Sequence, residues 1–174
     1  RVETVNLTEN CVRLSDRRAR LEVHPSRSTF PISRNIRPSA ALLRAETITE
    51  KPSFRAAFKR RRCIVPVSAF FEWRAIPGEK KKQKLRFSSP DAAPLAMAGL
   101  WESWTRPETG ETVESYTIIT TSANEFMAPI HDRMPAILGK ADWEAWLDPE
   151  AGNPLLLESM LQPCPDDWLE CEAA

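Results

Sequence analysis

Residues 95–121 read LAMAGLWESWTRPETGETVESYTIITT, and this stretch decides the fold class. Two runs rich in apolar and β-branched residues, 95–104 and 112–121, flank a segment from Pro107 to Glu111 that contains Gly110. Runs of this kind around turn chemistry predict two strands joined as an antiparallel pair. Working upstream, residues 85–88 read as a further strand, preceded by a Pro77-Gly78 turn and a run of lysines on a loop. Residues 63–73 read as one extended, mostly buried stretch in which Pro66 implies an edge or a bulge. Before it, residues 51–60 predict a short helix, with Pro52 in the first turn, Phe54 and Phe58 on one face, and a basic C-terminal end that complements the macrodipole.

Downstream, Ser122-Ala123-Asn124-Glu125 has the form of a capping box and predicts a short helix that Pro129 limits. Residues 142–147 predict another, with Trp143 and Trp146 on one face, and residues 155–161 a last one, stopped before Pro163. The acidic segment 166–174 is expected to be peripheral. Residues 1–40 are polar, Arg-rich and weakly periodic, broken by Pro25, Pro31 and Pro38. The sum is an α+β fold, a single β-rich domain over residues 1–174 built of mainly antiparallel strands with short flanking helices.

Bulk properties narrow the function classes. At 174 residues the chain suits one domain, and 42% hydrophobic content with six Trp and seven Phe argues for a packed core. Twenty-four basic and 24 acidic residues cancel, which does not favour a protein that holds long duplex DNA by counterion release. A local basic patch remains at Lys59-Arg60-Arg61-Arg62. No apolar run reaches the length of a membrane span and no signal-peptide pattern opens the chain, so no membrane partner is expected. The four cysteines lack a disulfide-like framework, and a reduced, cytoplasmic setting is the expectation. There is no Cys-x-x-Cys, and His24 and His131 are isolated, so no metal is expected. Gly-rich phosphate loops and Gly-x-Ser-x-Gly elbows are also absent, and no cofactor is expected.

Two constellations could carry chemistry. In Pro129-Ile130-His131-Asp132-Arg133-Met134-Pro135, two prolines bracket an imidazole, a carboxylate and a guanidinium. The loop could present a base and an anion-binding fork at a fixed place, or it could be a loop histidine beside an inert Asp–Arg surface pair. In Phe70-Phe71-Glu72-Trp73, a Glu inside an aromatic run would have a raised pKa if buried, as a general acid requires. Period-two alternation equally allows Glu72 to lie on the solvent face of an edge strand. Trp73 could stack on an unpaired base or sit in the core.

Seven segments in order, Arg44-Ala45-Glu46-Thr47, Lys51-Pro52-Ser53-Phe54, Arg61 to Pro66, Phe70 to Trp73, Ala98-Gly99-Leu100-Trp101-Glu102, Thr117 to Asn124 and Ile130 to Pro135, resemble the SOS response-associated peptidase (SRAP) family. The resemblance is strongest over residues 44–161, with 1–43 divergent or incomplete. It implies a β-rich α+β domain with a barrel-like sheet and a positively charged groove for single-stranded DNA. It also implies a DNA-damage and SOS-response role, acting as a monomer on abasic sites. Family members expose a cysteine once the initiator Met is removed, and self-cleavage by the same cysteine would account for the peptidase name. An N-terminal cysteine offers an amine and a thiol on adjacent carbons, and so can trap a sugar aldehyde as a thiazolidine. On this resemblance Glu72 and His131 are expected to be catalytic, Glu72 moving protons during ring opening and Schiff-base formation and His131 assisting proton transfer as the link forms and reverses. Arg44 and Arg133 are expected to bind phosphates, and Arg1, Trp73 and Thr120 to lie along the DNA.

The chain departs from the family at three points. It begins at Arg1, the residue expected to follow Met-Cys-Gly. Leu42 stands where the family has Asn, and only five residues separate Pro38 from Arg44 where the family has a longer segment. Either pieces of the natural chain are omitted, the reading favoured by the joint presence of Glu72 and His131, or the protein is a non-catalytic DNA-binding remnant.

Overall fold

The structure, a computed structural model, describes residues 10–14, 21–25 and 42–174. Among the described residues ten strands form two sheets: β1 (Asn10–Leu14), β2 (Leu21–Pro25), β3 (Leu42–Arg44), β4 (Arg62–Val67), β5 (Phe70–Ala75), β6 (Lys82–Ser88), β7 (Leu95–Thr105), β8 (Thr112–Ser122), β9 (Arg133–Pro135) and β10 (Glu170–Ala173). Three short α-helices accompany them there: α1 (Pro52–Arg60), α2 (Trp143–Leu147) and α3 (Pro154–Ser159), with single 3-10 turns at Ala45–Thr47, Lys140–Asp142 and Asp166–Trp168. The larger sheet runs β2-β1-β4-β7-β8-β3, with β9 also on β8; the smaller runs β10-β6-β5. All pairings among these strands are antiparallel except β3 with β8. The mainly antiparallel α+β fold is the one expected.

The 95–121 hairpin forms as read, closed by bonds from the Arg106 amide to the Glu111 carbonyl and from the Gly110 amide to the Arg106 carbonyl. All of β7 from Leu95 to Leu100 is buried, because both sheet faces are covered. Period-two alternation sorts the side chains. Val65, Val67, Leu95 and Met97 join Phe70 and Phe87 of the small sheet, whereas Ile64, Ala96, Ala98 and Leu100 pack with Phe58, Trp146 and Leu157 of the helices and with Leu161 just past α3. Gly99 marks the tightest approach in this sheet: a Cβ there would lie 3.0 Å from both the Cys63 thiol sulfur and the Thr117 carbonyl oxygen.

Four expectations are corrected. The 63–73 run is two strands in different sheets, broken at Ser68-Ala69. The 122–125 segment starts no helix: Ser122 remains in β8 and residues 125–130 form turns, with Asn124 rather than Ser122 accepting from the Met127 amide at 3.0 Å. The 166–174 segment is not wholly peripheral, since β10 completes the small sheet and Leu169 is buried in the core. The Lys59–Arg62 patch loses a member, because Arg62 is buried. Its guanidinium donates to the carbonyls of Phe58 (2.7 Å), Lys59 (2.6 Å), Trp146 (2.6 Å) and Asp148, tying the C-terminal ends of α1 and α2 together. The orphan carbonyls of two helix ends are thereby satisfied by one cation.

Candidate functional site

Strand β8 is the axis of the site. Its parallel partner β3 sets Arg44 beside Thr120, and its antiparallel partner β9 sets Arg133 beside Ser122 and Pro135 beside Thr120. The turns between β8 and β9 carry His131 and Asp132. The small sheet packs against this end of the large one through Phe70, Met127 and Met134, which brings β5 and its Glu72 to the junction.

Glu72 does not lie on a solvent face. It is 1% exposed, opposite Leu85 of β6 and on the same side of β5 as Phe70, while Phe71 and Trp73 point the other way. Its Oε1 has no hydrogen-bond partner among the described residues. Burial pushes its carboxyl above the ordinary carboxylate range, a rise that His131 in its charged form opposes and Asp132 reinforces. The structure thus brings Glu72 and His131 within electrostatic reach of each other across the two sheets.

His131 is held by its Nδ1. That atom accepts the Arg133 amide N–H at 2.9 Å, and the Arg133 carbonyl (3.1 Å) and an Asp132 carboxylate oxygen (3.3 Å) lie close by. With the Arg133 amide as its donor, Nδ1 carries no proton and the neutral ring holds it on Nε2; with the Arg133 carbonyl as partner the roles reverse, so the tautomer depends on which contact is kept. The Asp–Arg surface pair left open in the sequence does not form: Asp132 is exposed, and Arg133 turns instead to Glu46. Arg133 donates to Glu46 through both terminal nitrogens, at 2.5 and 2.9 Å, and to the Thr120 carbonyl at 2.7 Å. This fork–fork pair lowers the Glu46 pKa, the Arg133 hydrogen bonds being the largest cause and the charges of Arg133 and Arg44 adding to it. A phosphate arriving at Arg133 would therefore meet a fork already filled.

The other expected DNA contacts divide. Arg44 is exposed at the end of β3. Thr120 is buried, its hydroxyl donating weakly to the Leu43 carbonyl at 3.4 Å, so it supports the site from beneath. Trp73 is half-buried, with the Lys84 ammonium 6.0 Å from its ring and 4.0 Å from that of Phe71, a cation over two aromatic faces. Arg1 lies outside the described residues, as does the side chain of Leu42. Two contributors had no role assigned from sequence. One is Glu46, although the Arg-Ala-Glu-Thr motif contains it. The other is Lys84, whose signal was its place at the end of a lysine run opening a strand. Of the described thiols, Cys63 and Cys164 are buried, and burial pushes the Cys164 thiol up to about 12; Cys171 is half-buried, and burial raises its thiol as well.

Similarity to known proteins extends over most of the chain. The sequence profile described as "SOS response associated peptidase (SRAP)" matches residues 12–174. The Bacillus subtilis (strain 168) "Abasic site processing protein YoqW" is 44% identical over 127 residues, covering 73% of this chain and 56% of that protein. The Xenopus tropicalis "Abasic site processing protein HMCES" is 38% identical over 122 residues, covering 60% of this chain and 36% of that protein. A crystal structure from Bacteroides thetaiotaomicron superposes with a TM-score of 0.71 at 36% identity, over 76% of this chain and 57% of that one. A Bordetella bronchiseptica structure superposes with a TM-score of 0.66 at 30% identity, over 76% and 64% respectively. The chain spans a little over half the length of the bacterial relative it matches. With the profile matched over nearly all its length, the chain belongs to the SOS response-associated peptidase family.

Proposed function

We propose that the full-length protein binds single-stranded DNA and links itself covalently to abasic sites as part of a DNA-damage response. The observation that carries this reading is the buried Glu72 carboxyl, with raised proton affinity, in electrostatic reach of His131 at the junction of the two sheets. A carboxyl whose proton affinity is raised by burial is suited to donate a proton and take it back. The names carried by the bacterial and vertebrate relatives support abasic DNA as the substrate.

In the proposed reaction the open-chain sugar aldehyde meets an N-terminal cysteine, which the full-length protein is proposed to supply. The amine adds to the aldehyde carbon, water leaves to give the imine, and the thiol adds across the C=N bond to close a thiazolidine. One water is released and no redox partner is needed. Glu72 is proposed to protonate the departing oxygen, and His131, through Nε2, to assist proton movement on the same face. Self-cleavage that frees the cysteine is proposed to use the same thiol. The strand is proposed to cross exposed Arg44 and run along the β5–β6 ladder, where Trp73 and Lys84 lead toward Arg74 and the exposed Lys80, Lys81 and Lys82 around the turn into β6. Aromatic faces beside cations suit unpaired bases and their phosphates.

The test is to mix the full-length protein with a single-stranded oligonucleotide bearing one abasic site and run a denaturing gel. A retarded band that disappears when the N-terminal cysteine is replaced by alanine is the expected result. Salt-sensitive binding with no denaturant-stable band would leave a binding module without chemistry.

A further inference from the structure

We propose that Glu46 is the positioning residue of this site, fixing Arg133 and, through Arg133, holding His131 in one tautomer beside Glu72. The inference rests on the proposed function for its kinetic consequence, but its structural part stands on the geometry alone.

Three contacts form the relay. Glu46 binds both terminal nitrogens of Arg133, at 2.5 and 2.9 Å. The second of these nitrogens also donates to the Thr120 carbonyl at 2.7 Å, so the guanidinium bridges the turn after β3 to the middle of the β8 pairing. The backbone of the same residue then holds the imidazole, its amide N–H donating to His131 Nδ1 at 2.9 Å. Glu46 thereby reaches the imidazole through one intervening residue, although it lies 87 positions from Arg133 in sequence.

An isolated surface ion pair would have little consequence. This pair differs because the Arg133 side chain is only 17% exposed and its Nε is buried without a partner among the described residues. The cation is thus held almost entirely through its terminal nitrogens. Without Glu46 it keeps only the Thr120 hydrogen bonds, while its Nε stays desolvated. The favourable response is for the side chain to turn toward water, which frees the start of β9 and loosens the amide that faces Nδ1. The neighbouring acceptors, the Arg133 carbonyl at 3.1 Å and Asp132 at 3.3 Å, then compete to place a proton on Nδ1. A proton on Nδ1 removes it from Nε2 in the neutral ring, and the reacting face loses its donor. Misplacement of this order slows a reaction by about 10- to 100-fold.

The effect on DNA binding has the opposite sign. Removing a carboxylate from between Arg44 and Arg133 uncovers positive charge, so affinity for single strands holds or rises while the linking step slows.

The experiment uses full-length protein and Glu46→Ala, with Glu46→Gln as the conservative variant. In protein labelled with ¹⁵N at histidine, of which this sequence has two, the His131 ring nitrogens report the tautomer without any DNA present. The expected result is a single Nε2–H form in the parent, a mixture in Glu46→Ala, and an intermediate in Glu46→Gln. Single-turnover linking to abasic DNA is expected to slow about 10- to 100-fold in Glu46→Ala, with dissociation constants for single strands unchanged or lower. An unchanged tautomer in Glu46→Ala overturns the proposal whatever the rate. A rate loss fully explained by weaker DNA binding also overturns it, making Glu46 part of the DNA surface. If the tautomer shifts but the parent protein forms no link, the positioning relay stands and the proposed function fails.

Discussion

Glu72 faces Leu85 across the β5–β6 ladder, both side chains buried, so an ionisable carboxyl occupies a position a sheet ordinarily gives to an apolar residue. A carboxyl whose folded-state pKa lies above its unfolded value binds protons more tightly when folded. Its contribution to stability is greatest at low pH and is lost as pH rises through the folded value. Glu72→Gln is therefore expected to be more stable than the parent on the alkaline side of the folded value, where the buried carboxyl must carry charge. The gap should narrow on acidification and close below about 4.5, the ordinary Glu value. Urea unfolding across pH checks this. A constant gap would show that ionisation of Glu72 is not the cause. If the proposed function holds, the same variant loses linking activity, a trade of stability for chemistry.

Glu46 behaves with the reverse sign. Its pKa is depressed by Arg133, so the stability it adds is present above the ordinary Glu value and disappears as pH falls through the lowered one. Glu46→Gln is expected to be slightly less stable than the parent at neutral pH, by less than about 1 kcal/mol because the carboxylate is half exposed. The two proteins should converge in acid, and the same urea series reads it. Opposite pH trends for two carboxyls of one site form a signature that general destabilisation would not produce.

Replacing Lys80, Lys81 and Lys82 together with alanine tests the path of the strand. For single-stranded DNA, every phosphate left without its lysine lowers the slope of log affinity against log salt by about 0.7. A fall of about 2 in that slope is expected if all three lysines meet phosphates, with the single-turnover linking rate at saturating DNA unchanged. An unaltered slope would move the strand away from the β5–β6 turn.

Arg62→Met is expected to unfold more readily by about 3 kcal/mol, since four helix-end carbonyls are deprived of their donor at once. Thermal and urea unfolding would show it. A change under about 0.5 kcal/mol, well below the cost of unsatisfied buried carbonyls, would mean that water replaces the guanidinium without difficulty.

Arg62 also shows where sequence reading stops. In the run Lys59-Arg60-Arg61-Arg62 it is indistinguishable from a surface cation, and only the approach of α2, more than 80 positions away, buries it. The 95–121 hairpin and α1 were legible because strand alternation, turn residues and helix termini are local signals. The break at Ser68-Ala69 was not, because it depends on which sheet each half joins, and both halves are apolar. Asn124 took the capping role read for Ser122 because β8 extends through Ser122 to meet Arg133. At the site, the resemblance pointed to Glu72 and His131. The burial of Glu72 and the capture of Arg133 by Glu46 arise from the meeting of distant segments, which no spacing reveals.

The parallel seam between β3 and β8 joins partners such as Leu43 and Thr120, 77 positions apart. Pairings of that range form late, after the local hairpins have already gained their stability. A nascent or partly unraveled copy of this protein therefore lacks Arg44, Thr120 and the Glu46 brace in their working places. Any step that relies on that brace therefore waits until the seam has closed.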